Sequence, residues 1–306
     1  MRRKNVLAVL CAAGVVGPAA TSGATLIANE PFAVGPNPAG QYATADVRGQ
    51  NPAVLGFSGP WSGTTAGFVP NSTGLDHSLA TWESGGRLRW VGTDQRGFDR
   101  NIQRNLIAYA ASSTYYFSAM LTREPYTTNL DENIAGWVNA ADNEGIRFGY
   151  DVTDDSDPDT PPVVSLVIRN GASPTNLFAS GSTFARTFLL IMKLETNVSG
   201  TSDRLSFWLS GPTPSFDSLY DISSEQALNN SPLRAGVDYR GVLNGEFVSS
   251  PTSISKFVIH NPNDSGPLSY DELRFGTQYI DVVPEPSSLV VLGVALVALG
   301  ARRRRV

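Results

Sequence analysis

Cysteine is nearly absent. Cys11 is the only one, and it lies in an apolar run near the start. Everything after that run is cysteine-free, so no disulfide framework is available and the chain must be held by a large core. Histidine is scarce too, with only His77 and His260. That excludes a transition-metal centre built from Cys and His clusters. His77 stands between Asp76 and Ser78, but neighbours in sequence do not make a triad, whose members must converge in space. Both histidines are expected at surface or turn positions. There is no Gly-x-Ser-x-Gly elbow and no phosphate-binding Gly-rich loop. Helical periodicity is rare: only 101–111 and 218–228 qualify as helix candidates. Basic residues are sparse between the two ends, because Arg2, Arg3, Lys4 and Arg302, Arg303, Arg304 and Arg305 belong to the termini. The part between is more acidic than the whole-chain charge of −5. It therefore suits neither nucleic acid nor an anionic membrane surface.

The two ends carry addresses. Arg2, Arg3 and Lys4 form a basic n-region, and 6–16 is an apolar stretch of signal-peptide length. Ser22, Gly23 and Ala24 supply small residues for a signal peptidase, so cleavage is expected after Ala24. A twin-arginine signal lacks its usual flanks here. Leu10 before Cys11 is not the small residue of a lipoprotein site, so Cys11 reads as an ordinary h-region residue.

At the other end stand Pro284, Glu285 and Pro286, then an uncharged apolar run over 289–301, then the four arginines. As a helix that run reaches about 20 Å against a hydrocarbon core of about 30 Å. With Ser287 and Ser288 added and the arginines snorkelling, it comes closer to spanning. The arginines would stay on the cytoplasmic side and leave the body outside. This triplet, apolar helix and basic cluster resemble the PEP-CTERM sorting signal of bacterial envelope proteins. The resemblance implies recognition by an exosortase-type membrane protease and delivery to the cell surface or beyond. The expected division is a signal peptide over 1–24, one β-sandwich domain over 25–283 and a sorting signal over 284–306.

Between the ends the pattern is that of strands. Alternation of period two runs through 115–121, 146–152, 188–194, 205–209 and 255–260, and 163–168 is apolar on both faces. Gly, Pro, Asn, Asp or Ser bound each run. Strands at this spacing without amphipathic helices between them predict a sandwich. The segment 154–162 reads as a loop within one domain, and the first ninety residues as long surface loops.

Residues 25–32 (Thr-Leu-Ile-Ala-Asn-Glu-Pro-Phe) and 56–61 (Gly-Phe-Ser-Gly-Pro-Trp) resemble the opening of concanavalin A-like, laminin-G-like jelly rolls. Stretches 115–118, 189–195 and 270–277 are similar to the later strands of that fold. The resemblance implies an all-β, two-sheet antiparallel jelly-roll sandwich. It implies no one activity, since that fold hosts lectins, hydrolases and adhesion modules.

A retaining glycosidase needs two carboxylates about 5 Å apart, and the resembling hydrolases show a Glu-x-Asp-x-x-Glu strand. No such pattern occurs. Asp271 and Glu272 are adjacent, so they should face opposite sides of a strand, and Glu83, Glu195 and Glu246 stand alone. Asp155, Asp157 and Asp159 alternate and could offer oxygens to one calcium ion. Yet Thr160 stands where an EF-hand needs Gly and Leu166 where it needs Glu, so a solvated acidic loop competes with that reading. Arg96, Arg100 and Arg104 would align on a helix as a solvated face. Trp61, Trp82, Trp90 and Trp137 could supply a glycan-stacking platform if exposed, though Trp on strands is usually core. Trp208 belongs to a sheet face. The sequence thus predicts an exported, surface-sorted sandwich with a structural or binding role and no catalytic set. Its alternatives are a lectin-like module for extracellular polysaccharide and a divergent glycan hydrolase. Its partners are signal peptidase, the sorting protease and, before processing, the membrane.

Overall fold

The fold is given by a computed structural model. It describes residues 25–37, 39–64, 67–75, 77, 86–90, 99–123, 133–153, 163–171, 173, 175–182, 187–200, 202–211, 221–262 and 268–283. The chain opens with β1 (Leu26–Glu30), β2 (Phe57–Gly63), β3 (Phe68–Asn71) and β4 (Arg87–Trp90). Next come β5 (Asp99–Leu106), β6 (Thr114–Arg123), β7 (Asn133–Val138), β8 (Gly145–Thr153) and β9 (Val163–Asn170). β10 (Asn176–Ser182), β11 (Thr187–Ser199) and β12 (Ser202–Ser210) lead to α1 (Glu225–Asn230). β13 (Tyr239–Gly245), β14 (Lys256–Pro262), β15 (Leu268–Gly276) and α2 (Tyr279–Val282) complete it.

The strands form two antiparallel sheets. One has eight strands in the order β13-β12-β11-β6-β15-β4-β3, with β1 paired to the far end of β15. The other has seven, in the order β10-β9-β8-β7-β14-β5-β2. The chain changes sheet repeatedly, as at β1 to β2, β5 to β6, β13 to β14 and β14 to β15. This wrapping makes a jelly-roll sandwich from local alternation: each strand turns its apolar side to the other sheet. Phe117, Ala119, Leu190 and Met192 from one sheet meet Trp137, Phe148, Ile168 and Phe257 from the other in one buried cluster. At its centre the Phe117 and Phe275 rings stack at 4.8 Å, and Trp137 lies 4.8 Å from Phe257. Such pairs contribute about 0.5–1.5 kcal/mol each beyond area burial.

Several local expectations change. The helix expected over 101–111 is strand β5, because Ile102 and Arg104 turn inward while Asn101, Gln103 and Asn105 turn outward. The second helix candidate, 218–228, overlaps α1 only in part. That helix starts where Ser224 accepts a hydrogen bond from the Ala227 N–H at 3.0 Å, which is N-cap geometry. The first ninety residues hold four strands as well as loops. Their loop between β1 and β2 is fastened by Gln50, whose amide nitrogen donates to the carbonyls of Ala43, Ala45 and Asp46. Thr153 pairs directly with Val163, so 154–162 connects two neighbouring strands of one sheet.

The outer face of the eight-stranded sheet is roofed. Tyr116, Met120, Leu189, Ile191 and Trp208 on that face pack with Leu75, Leu228, Val282 and Val283. The roof thus comes from a strap between β3 and β4, from α1, and from α2 with the residue after it.

Candidate functional site

β15 carries an acidic bulge with two buried carboxyl groups. Pairing with β6 slips between Asp271 and Arg274. Glu272 sits there at φ +49°, a left-handed conformation that costs a side-chain-bearing residue about 1–2 kcal/mol. The slip interrupts the regular strand on which Asp271 and Glu272 were expected to face opposite sides. Both are buried. Burial pushes the Asp271 carboxyl up to about 8, against the backbone N–H groups of Leu75 and Glu272, which donate to it at 2.7 and 2.8 Å. Burial also raises Glu272, and Arg274, 3.2 Å away, pulls it back. The strap reaches Asp271 through Leu75, and Glu272 is held by Arg274.

A second network lies deeper. Arg104 Nη1 donates to Glu30 Oε2 at 2.7 Å and to the Tyr42 hydroxyl at 2.9 Å. That hydroxyl donates to the same Glu30 oxygen at 2.6 Å and accepts from Trp61 Nε1 at 2.7 Å. Arg104 Nη2 reaches the Pro52 carbonyl at 2.7 Å and Asn51 Oδ1 at 3.2 Å. Arg104 is therefore a core residue and not part of a solvated face. Burial raises the Glu30 carboxyl, and Arg104 draws it down. With every strong acceptor matched to a donor, the network reads as structural.

His77 corrects another expectation: it is buried, not a surface residue. Its Nε2 lies 3.0 Å from the Ser210 carbonyl and 3.2 Å from that of Gly211. Two acceptors require a proton on Nε2, and burial lowers the imidazole to about 4. Asp238 braces the same corner, bound by Arg234 Nη2 at 2.6 Å and by the Gly211 N–H at 3.2 Å. These two contacts hold the strap to β12 and the residue after it. His260 lies in β14, half-exposed.

The described tryptophans make no platform. Trp61, Trp90, Trp137 and Trp208 are all buried. Trp82, Glu83 and Arg96 fall outside the described residues, and so do Asp155, Asp157 and Asp159. Among the described residues no group of acidic, Cys and His side chains is arranged to hold a metal ion. Asp151, next to that loop, is engaged by Arg169 at 2.9 Å and Asn176 at 2.5 Å. Glu195 is bound by Arg204 at 2.6 Å, and Glu246 is exposed in a loop. The outer face of the seven-stranded sheet carries polar side chains among buried Val167 and Val258: Gln103 accepts from Lys256 at 3.0 Å, and Arg169, Asp151 and Asn176 form a linked set.

The site with a definable role is the junction where the fold meets its tail. After β15 the Asp281 carboxylate turns back and accepts from the Thr277 and Gln278 N–H groups at 3.0 and 2.8 Å. Gly276 leaves room for it, because a Cβ there would lie 2.3 Å from Asp281 Cβ. Tyr279 packs edge-on against Tyr116 and donates its hydroxyl to the Ile222 carbonyl at 3.0 Å. Val282 and Val283 are then driven into the roof cluster. The folded body runs without slack to the residue before Pro284. Pro284, Glu285, Pro286 and Arg302, Arg303, Arg304 and Arg305 lie outside the described residues, as does Ala24. No helix among the described residues is long and apolar enough to cross a membrane.

The two-sheet body is similar to the exoplasmic/lumenal domain of VIP36 in its Ca2+/Man3GlcNAc-bound form, at 10% identity and TM-score 0.37 over 71% of this chain and 85% of that one. It is similar to the seed lectin of Lotus tetragonolobus at 8% identity and TM-score 0.42, over 79% and 98%. It is also similar to the catalytic domain of a glycoside hydrolase family 131 protein from Coprinopsis cinerea, at 13% identity and TM-score 0.35, over 80% and 87%. No curated protein matches the chain. The PEP-CTERM protein-sorting motif matches residues 282–305. The chain therefore joins an all-β jelly-roll sandwich directly to a PEP-CTERM protein-sorting motif, whose first two residues are already buried in the sandwich.

Proposed function

We propose that this is an exported protein, sorted to the envelope or released from it, whose sandwich serves a structural or binding role outside the cell. The carrying observation is the sorting motif at 282–305 joined to a folded body through a capped, buried junction. The body holds no cysteine, and its buried Glu30, Arg104 and Asp238 are engaged within its own fold. In this reading the tail inserts in the inner membrane until an exosortase-type protease acts on it. Intact mass of the native protein, beside a Pro284→Ala, Glu285→Ala, Pro286→Ala variant, tests it. Loss of residues 1–24 and of the apolar run from the native form, with the run retained in the variant, is the expected result. A native form that keeps the run and its arginines would make the tail a permanent anchor and overturn processing.

A lectin-like reading draws support from the polar side chains on the outer face of the seven-stranded sheet, where Asn101, Gln103 and Asn105 stand in line on β5. Buried tryptophans leave hydrogen bonding rather than stacking to hold a sugar there. Binding to envelope polysaccharide, lost in Asn101→Ala, Gln103→Ala without a change in melting, is its expected signature. Equal retention by both proteins would remove this face from consideration.

A further inference from the structure

The edge of a sheet offers unpaired backbone groups to another chain, and most edges of this sandwich are blunted. β3 has four residues, carries Pro70, and its Phe68 carbonyl accepts from the Val47 N–H. β2 carries Pro60, slips against β5 between Ser58 and Ser62, and bonds through Trp61 to Gly49 and Gln50. On β1 the Asn29 N–H donates to the Leu55 carbonyl. β10 slips twice against β9. β13 has none of these devices. It holds seven residues without proline and pairs with β12 in an unbroken register from Tyr239 to Gly245. Among the described residues no other backbone bond reaches 240–245. Arg240, Val242 and Asn244 are exposed, Val242 by 56%. On the inner side Tyr239 and Leu243 are only partly buried, as is Phe178 on β10, whose ring lies 5.5 Å from that of Tyr239. The apolar layer between the sheets therefore reaches water along this side.

The order of residues along β13 says what fits there. An antiparallel copy of the strand overlaps all seven residues only about a twofold axis at Val242. Tyr239 then stands opposite Gly245 and Leu243 opposite Gly241, so each large inner side chain meets a glycine. A Cβ at Gly245 would meet nothing nearer than 3.9 Å, which leaves room for the Tyr239 ring of the other copy. On the outer side Val242 meets itself and Arg240 meets Asn244, so no like charges are opposed. One step beyond the strand Asp238 meets Glu246, and Asp238 is already neutralised by Arg234 at 2.6 Å. We infer that β13 is the interface between two copies of this chain, whose eight-stranded sheets join edge to edge. The join forms about six backbone hydrogen bonds and takes Phe178, Tyr239 and Leu243 out of water. Any surface the sandwich presents is then presented in pairs, whatever becomes of the tail.

Sedimentation velocity on the native protein, in mild detergent where the tail is retained, should show a dimer at about 0.1 mM. Val242→Lys sets like charges face to face at the axis. Because the position is exposed, melting should match the wild type while the dimer weakens about tenfold. Mixing that variant with Val242→Glu should restore the dimer. The near absence of cysteine supplies a second test, which decides even where a charge at Val242 unsettles the fold. In a Cys11→Ala background, Val242→Cys should cross-link two copies under mild oxidation about tenfold faster than Val198→Cys. Val198 is as exposed, at 52%, but lies near the β11–β12 turn. A monomeric native protein overturns the interface. So does a folded Val242→Lys variant that stays fully dimeric, or equal cross-linking at the two positions, since either places the contact elsewhere.

Discussion

At the scale of single residues, the buried charges decide most. Arg104 is held by Glu30, Tyr42, Asn51, Pro52 and Gly59 together. Its replacement in Arg104→Ala leaves the Glu30 carboxylate sealed without its cation, a loss of about 3–5 kcal/mol. Urea unfolding should show that loss as a lower midpoint. Asp271 acts in the other sense. Its folded-state value, about 8, lies above the ordinary carboxylate value of 3.8, so the native state holds a proton that the unfolded state has released. Stability from this group is therefore full below about pH 4 and falls as pH rises towards 8. Asp271→Asn removes that slope, but its amide cannot accept from both Leu75 and Glu272, which costs about 1 kcal/mol. The variant should be the less stable protein at pH 5 and gain on the wild type steadily up to pH 8. A constant gap across that range would show that Asp271 stays ionised in the fold.

At the scale of elements, the informative pieces are the strap and α2. The strap crosses a sheet face and is tied down at Asp271 by Leu75 and at β12 by His77. No periodicity in its sequence announces this, since among the described residues Leu75 and His77 carry the contact. α2 is too short to persist alone. Its persistence depends on the Asp281 cap and the Val282–Val283 plug. Asp281→Ala should cost about 1 kcal/mol locally and speed hydrogen exchange at Thr277 and Gln278 while leaving β6 and β11 protected. Loss of protection throughout the sheet would instead make α2 a keystone of the whole fold. β5 teaches the reverse lesson about periodicity. Arg100 and Arg104 suit a helix face on spacing alone, but the same four-residue step also places two residues on one side of a strand.

At the scale of the whole molecule, the body stands without covalent ties. Its stability comes from the interleaved aromatic and aliphatic side chains of two sheets, so its melting midpoint should be the same with and without reductant. A fall of several degrees on adding dithiothreitol would mean that the protein depends on a disulfide to another chain. The capped exit at Val283 ties the sandwich to the first residues of its sorting motif.

The sequence by itself determined the strands at 115–121, 146–152, 163–168, 188–194, 205–209 and 255–260, because alternation with apolar side chains specifies a half-buried strand locally. It also determined the sorting tail, because Pro284, Glu285, Pro286, the apolar run and the arginines form a linear pattern that needs no fold. Only the tertiary structure decided that Arg104 is internal, that His77 is a buried strap anchor and that the four described tryptophans face no solvent. Those outcomes depend on which strands meet across long separations, and a side chain's partner 74 or 133 residues away leaves no mark on its neighbours in sequence. The same holds for the meeting of Leu26 with Gly276, since it follows from the pairing of β1 with β15, the first strand with the last.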